Sequence, residues 1–157
     1  MPTLDATDAR ILLALDDDPQ ASTMALSTRL GLARNTVHAR LRRLEAEGAL
    51  GAPSRRVEAA ALDRGLLAFM TLSLSQRGGG EGAAAALAAI PEVVEVLATT
   101  GEGDLLARVV ARDTADLYRI TEQVLTAPGV ERASTVIALV EVVPMRLAPL
   151  LAQRARS

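Results

Sequence analysis

The stretch that most constrains the fold is GLARNTVHARLRRLE, residues 31–45. Successive residues of an α-helix are about 100° apart around its axis, so Val37, Leu41 and Leu44 share one apolar stripe. The opposite face then carries small, polar and basic side chains: Asn35, His38, Ala39, Arg42 and Arg43. The pattern predicts an amphipathic helix that buries the stripe and exposes a basic face.

A shorter helix is expected immediately before this segment. Ser22 is a suitable N-cap, and Gly31 can adopt the left-handed conformation that ends a helix. The apolar positions between them are Met24, Leu26 and Leu30. Two helices joined by so short a turn cross steeply, and we therefore predict a helix-turn-helix.

A further helix is expected at the start of the chain. Asp5 is a suitable N-cap, and Asp8 is favourably placed against the helix dipole. Its buried face would be Ile11, Leu12 and Leu15. The helix should end before Pro19, because the residue that precedes a proline avoids helical dihedral angles.

Basic charge is concentrated around the predicted helix-turn-helix. Residues 28–56 contain seven arginines and two glutamates, a net charge of +5, whereas the whole chain carries −2. In a DNA major groove, arginine recognises guanine, asparagine recognises adenine, and alanine can contact the thymine methyl group. We therefore expect this unit to bind DNA; the alternative is a solvated structural helix face.

The predicted DNA contacts divide into two groups. Contacts to base edges are assigned to Asn35, His38, Arg42 and Arg43. Contacts to phosphates, which give affinity with little sequence preference, are assigned to Arg34, Thr36, Arg55 and Arg56. Arg40 lies nearer the apolar stripe, so either a phosphate contact or an internal ion pair, for instance with Asp8, is expected. We interpret His38 as a polar face residue, not a metal ligand.

Composition excludes several classes of protein. The 157 residues include no cysteine, which rules out disulfides and thiolate metal sites. No signal peptide or apolar run of about 18 residues is present, so a cytoplasmic protein without a membrane span is expected. The chain has one histidine and no phosphate-binding glycine motif. We therefore expect no catalytic residues, no cofactor and no metal site.

The second half of the chain predicts an α+β fold. Alternating apolar residues from Leu66 onward mark a strand, and the order that follows is βαββαβ, a ferredoxin-like sandwich. In that order, a glycine-rich loop at 78–82 precedes a helix at 83–90, and the last strand covers 130–143. The expected divisions are the helix-turn-helix (winged-helix-like) domain at 1–51, a linker with a short strand at 52–65, the sandwich at 66–144 and a tail at 145–157. Such a sheet carries helices on one face only, so a second copy is expected to cover the other.

These features together resemble the Lrp/AsnC (leucine-responsive and asparagine-responsive, or feast/famine) family of transcriptional regulators. Leu4-Asp5 with Asp8 and Ile11-Leu12 is similar to the family's opening, and residues 40–45 with Gly48 are similar to the end of its recognition helix. Gly101-Glu102-Gly103-Asp104 resembles its effector loop, and Pro128-Gly129-Val130 stands at the expected place. The resemblance implies a homodimer formed through the sheets, with possible assembly to an octamer, and a free amino acid or related effector bound between dimers.

The loop residues suit such an effector chemically. Backbone N–H groups of Gly101 and Gly103 can bind a carboxylate, and Glu102 and Asp104 can pair with an ammonium group. Additional hydroxyl contacts are assigned to Thr100, Ser134 and Thr135. The same residues also suit a plain hairpin turn, so both interpretations stay open.

Three positions depart from the family pattern. Ala33 replaces a serine that usually caps the recognition helix, a loss of about 1 kcal/mol. Gly103 replaces the usual aromatic residue of the effector loop, and Ala133 stands where some members have threonine.

Two alternative functions stay open. The first is a sirohaem-decarboxylase-like enzyme, although a single histidine on the recognition helix fits that activity poorly. The second is an architectural DNA-binding protein with low sequence preference.

Overall fold

A computed structural model describes residues 3–75 and 80–157. The chain divides into two compact units. The first contains the chain up to Arg55 together with Val143–Ser157, and the second is Arg56–Val142.

Three helices form the framework of the first unit. They are α1 (Ala6–Asp17), α2 (Thr23–Leu30) and α3 (Arg34–Ala46). Buried Ala14, Leu26 and Val37 form their shared core. The three predicted helices are thus confirmed, and the apolar stripe of α3 points inward as the spacing requires.

The turn between α2 and α3 is fixed by backbone geometry. Gly31 has a φ of 65°, a left-handed conformation that favours glycine. The Leu32 N–H donates to the carbonyl of Ser27 at 3.1 Å, and the Ser27 hydroxyl donates to the carbonyl of Leu32 at 2.6 Å. These bonds set the direction in which α3 begins.

The end of the chain contributes a helix to the same unit. Residues Ala148–Arg154 form α6, which packs against α1, and the Arg154 Nε donates to the carbonyl of Leu4 at 2.6 Å. From the sequence, residues 145–157 are expected only to form a C-terminal tail, and this helix is not predicted. Pro149 lies in the first turn of α6, where proline is tolerated because its missing N–H has no partner inside the helix.

The second unit has the predicted βαββαβ order. Its elements are β1 (Leu66–Leu74), α4 (Gly80–Ala88), β2 (Val93–Ala98), β3 (Leu105–Ala111), α5 (Thr114–Leu125) and β4 (Val130–Ile137). The strands form one antiparallel sheet in the order β2-β3-β1-β4. Alternate β1 residues, Ala68, Met70 and Leu72, pack with Leu87 of α4 and with α5 in the core. The opposite sheet face carries the intervening residues.

Three local predictions need correction, one in the segment that precedes β1 and two in the sandwich itself. The expected short strand in 52–65 is replaced by two 3₁₀ turns, Pro53–Arg56 and Ala59–Leu62, because proline and alanines favour a tight helical turn there. The glycine-rich loop is shorter than expected: α4 begins at Gly80, while 78 and 79 lie outside the described residues. Strand β4 ends at Ile137, not at residue 143. Ile137 lies opposite Ala68, and the Ala138 N–H still donates to the Leu67 carbonyl at 2.9 Å, but β1 begins at Leu66 and therefore has no backbone partners for residues 140–143.

Candidate nucleic-acid interface and effector loop

The outer face of α3 is exposed and largely polar. Its predicted contact residues are all exposed except the half-buried Arg40: Arg34, Asn35, Thr36, His38, Arg42 and Arg43. A surface concavity of about 530 Å³, here called the recognition hollow, is lined by Asp5, Asn35, Thr36, Ala39, Arg40 and Arg43. A smaller one of about 220 Å³ is lined by Thr23, Arg34, Asn35 and His38. The face can therefore present donors and acceptors to a ligand wider than one side chain.

The start of α3 lacks a side-chain cap. Ala33 is the N-cap residue, and no side-chain hydrogen bond satisfies the first turn. By contrast, the Ser22 side chain accepts from the Ala25 N–H at 3.1 Å at the start of α2. The predicted loss of a capping bond at Ala33 is confirmed. The Thr36 N–H donates to the Ala33 carbonyl at 3.0 Å, so within the described residues the N–H groups of Arg34 and Asn35 are the ones available to an anion.

Arg40 forms the internal ion pair that was one of its two expected roles. Its Nη1 lies 2.5 Å from Asp5 Oδ2 and 2.8 Å from Asp8 Oδ1. Arg43, assigned above to a base edge, also pairs with this group, since its Nη2 lies 2.6 Å from Asp8 Oδ2. In the described part of the chain, Arg34 and Arg42 form no ion pair with a carboxylate, in contrast to Arg40 and Arg43 on the same helix.

The carboxylates of this cluster are held in their charged form. Asp5 and Asp8 form a reciprocal capping box. The Asp5 N–H donates to the Asp8 carboxylate at 3.1 Å, and the Asp8 N–H donates to the Asp5 carboxylate at 2.8 Å. The hydrogen bond from Arg40, aided by the Asp8 N–H, lowers the pKa of Asp5 to about 2. Burial acts to raise the pKa of Asp8, but the Asp5 N–H and the two guanidinium groups outweigh it and hold that pKa below its ordinary value.

The two remaining arginines predicted to contact DNA lie elsewhere. Arg55 and Arg56 are exposed in the Pro53–Arg56 turn and do not line the recognition hollow. The Arg55 side chain lies over Gly51, where an added Cβ would be 2.8 Å from its Cδ. The structure thus brings together the contact residues of α3 but not these two.

The predicted effector loop connects β2 to β3 and is tied to β1. The Asp104 N–H donates to the carbonyl of Leu72 at 2.9 Å, and the Asp104 carboxylate accepts from the Leu74 N–H at 2.7 Å. The Thr99 hydroxyl donates to the carbonyl of Gly103 at 3.0 Å. One oxygen of Asp104 therefore has a structural role, while Glu102 is exposed at the turn.

Register separates two of the hydroxyl residues assigned to this loop. Ser134 lies opposite Thr71, whereas Thr135 lies opposite Met70 of the core. Because strand side chains alternate between faces, Ser134 shares the outer sheet face with Thr71 and Thr135 points to the helix side. The structure therefore brings Ser134, but not Thr135, to the face on which the loop packs.

Thr71 was not identified from the sequence. Its side chain explains why glycine, and not the family's usual aromatic residue, stands at position 103. A Cβ added to the buried Gly103 would lie 2.3 Å from Thr71 Cγ2 and 3.1 Å from the carbonyl oxygen of Leu72. A larger residue at 103 therefore requires the loop or the Thr71 side chain to shift. No signal in the sequence near Thr71 connects it with residue 103, since the contact depends on strand register.

Among residues 3–75 and 80–157, no helix is long and apolar enough to cross a membrane.

Comparison with known proteins finds a matching family for each of the two units. Residues 4–50 match a winged helix-turn-helix DNA-binding family, and residues 67–148 match the Lrp/AsnC ligand binding domain family. The chain is similar to the HTH-type transcriptional regulator FL11 of Pyrococcus horikoshii, with 32% identity over 87% of this chain and 89% of the relative. It is also similar to the HTH-type transcriptional regulator AldR of Mycolicibacterium smegmatis, with 36% identity over 79% and 74%.

A solved structure resembles both units along most of the chain. The transcriptional regulator NMB0573 of Neisseria meningitidis, determined in complex with L-methionine, has a TM-score of 0.80 and 28% identity, covering 94% of this chain and 99% of that one. The helix-turn-helix, the ferredoxin-like sandwich and the sequence relatives agree. This chain is a transcriptional regulator of the Lrp/AsnC family.

Proposed function

We propose that the protein binds a specific operator as a homodimer, with one α3 from each copy in successive major grooves. The observation that carries the proposal is the exposed row on α3, where Asn35, His38 and Arg42 stand within a region of net charge +5. Arg42 and Asn35 supply the bidentate groups that recognise guanine and adenine, and Arg34 with Thr36 contacts phosphates at the uncapped helix start. Arg55 and Arg56 supply further phosphate contacts.

The outer face of the sheet is the proposed dimer interface. Across the strands, Phe69 lies opposite Val136 and Leu67 lies opposite Val110, which gives an apolar band on the face that carries no helices. Val136 is 64% exposed and Leu97 is 48% exposed in the single chain. A second copy of the same face would bury this band, and a two-fold axis there would pair two DNA-binding units.

The proposed effector is a free α-amino acid, with L-methionine as the first candidate. The N–H groups of Gly101 and Gly103 would bind its carboxylate, and Glu102 would pair with its ammonium group, since Asp104 is already bonded to Leu74. Thr100 and Ser134 add hydroxyl groups. The effector would act only if it bound one assembly or domain arrangement better than another.

The DNA-binding part is tested with fluorescently labelled duplexes. We expect the protein to bind DNA from upstream of its own gene more tightly than a random duplex, and Arg42→Ala to reduce that preference by about 1–3 kcal/mol. The matched variant Arg146→Ala removes the same charge from an exposed residue of the same unit, outside the recognition hollow, and should retain the preference. Equal affinity of the wild-type protein for all duplexes would instead support the architectural alternative.

The effector part is tested by thermal unfolding with L-methionine and a panel of other amino acids. A ligand that binds the native state raises the midpoint with its concentration. N-acetyl-L-methionine lacks the ammonium group and should give no shift, and Glu102→Gln should weaken the shift by L-methionine. If no amino acid shifts the midpoint, the effector assignment is wrong while the DNA-binding proposal stands.

A further inference from the structure

The charged cluster at one end of the α3 face contains two guanidinium groups and two carboxylates. Arg40 is shared between Asp5 and Asp8, and Arg43 is bound by Asp8. The cluster is therefore close to neutral, although α3 itself is strongly basic. A guanidinium held by two carboxylates is not free to bind a phosphate.

The two carboxylates differ in their surroundings. The Asp8 side chain is fully buried, whereas that of Asp5 is 51% exposed. Asp5 also lines the recognition hollow together with Asn35, Thr36 and Ala39. A negative charge thus lies beside side chains that are proposed to approach DNA.

We propose that Asp5 is a specificity-determining residue, which holds Arg40 away from the DNA backbone and thereby weakens sequence-independent binding. The inference rests on the proposed function of α3. Phosphate contacts supply most of the non-specific affinity, while base contacts supply the discrimination. A carboxylate that occupies one arginine and repels phosphate lowers affinity for all duplexes and leaves the base-reading residues unaffected. The ratio of specific to non-specific affinity therefore rises.

The test compares wild-type protein with Asp5→Asn on a random duplex over a range of salt concentrations. Asparagine caps a helix about as well as aspartate, so α1 should retain its N-cap. Each new phosphate contact steepens the slope of log affinity against log salt by about 0.9. At about 0.1 M salt, complete release of Arg40 corresponds to about eightfold tighter random-duplex binding. Because Asp8 Oδ1 still lies 2.8 Å from Arg40 Nη1, about eightfold is the upper limit of the gain expected for Asp5→Asn. Operator affinity should rise less, so that the specificity ratio falls.

Two further variants identify the cause. Asp17→Asn removes the same charge from α1, from an exposed pair with Arg29, and should leave the salt slope unchanged. In Asp5→Asn/Arg40→Gln the gain in random-duplex affinity should disappear, because the released guanidinium is absent. If Asp5→Asn unfolds, Asp5→Ser keeps a capping hydroxyl without the charge and replaces it.

The outcomes are distinguishable. If the wild-type protein binds no duplex at any salt concentration, the proposed function itself fails. If it binds DNA but Asp5→Asn leaves the salt slope and the specificity ratio unchanged, the inference is overturned. It is also overturned if the double variant keeps the gain, because the effect would then come from net charge and not from Arg40.

Discussion

The buried carboxylate of Asp8 should be a major determinant of stability in the DNA-binding unit. In Asp8→Asn the amide can still accept from the Asp5 N–H, but it loses the charged bonds to Arg40 and Arg43. Hydrogen bonds to charged groups contribute about 1.5–3 kcal/mol each. The side chains of Arg40 and Arg43 are 27% and 43% exposed, so solvent screening reduces the contribution of each bond. We expect Asp8→Asn to lower the free energy of unfolding by about 2–4 kcal/mol.

Urea unfolding followed by far-UV circular dichroism measures this difference. Helices dominate the signal of the first unit, and the slope with urea should stay unchanged, since the variant exposes no additional surface. Asp17→Asn is the matched control, because its pair with Arg29 is exposed and should contribute less than about 1 kcal/mol. A loss below about 0.5 kcal/mol in Asp8→Asn, or an equal loss in both variants, would refute the reasoning.

Three other properties of the chain can be tested in the same way. Ala33→Ser should stabilise α3 by about 0.5–1 kcal/mol, because it supplies the missing N-cap; no gain would mean that the first turn is satisfied otherwise. Gly103→Ala should destabilise the second unit by about 1–3 kcal/mol through its clash with Thr71, and Thr71→Ala/Gly103→Ala should recover part of that loss in thermal unfolding. Acid should also destabilise the second unit: the Arg112 N–H and then Arg119 lower the pKa of Asp116 from 3.8 to about 2, so stability present above pH 4 is lost as the pH falls toward 2. In an acid titration followed by circular dichroism, Asp116→Asn should remove part of that decline, and an unchanged profile would contradict the assignment.

Local sequence signals predicted α1, α2 and α3 well, although not α6. Ser22 and Gly31 act through bonds within a few residues, so their caps could be recognised without tertiary information. The end of β4 could not be predicted in this way, because Val140, Val142 and Val143 continue an apolar pattern. A strand extends only as far as its neighbour provides backbone partners, and that limit depends on sheet register.

The candidate sites were predictable as sets of residue types but not as contacts. The position of Arg40 near the apolar stripe indicated that an ion pair was possible, and the structure shows that pair with both Asp5 and Asp8. The engagement of Arg43 with Asp8 was not foreseen, because it depends on how α1 packs against α3. For the same reason, neither the Gly103–Thr71 contact nor the opposite orientation of Ser134 and Thr135 could be read from sequence alone.

The measurement that most directly tests DNA reading by α3 is selection of duplexes from a randomised pool by the wild-type protein and by Arg42→Ala. We expect the wild-type protein to enrich a two-fold symmetric motif with half-sites about one helical turn, or a multiple of it, apart. Arg42→Ala should relax the preference for guanine at one position in each half-site and leave the other positions in place. A pool without an enriched motif, or an identical motif from both proteins, would contradict the claim that α3 reads the operator through this residue.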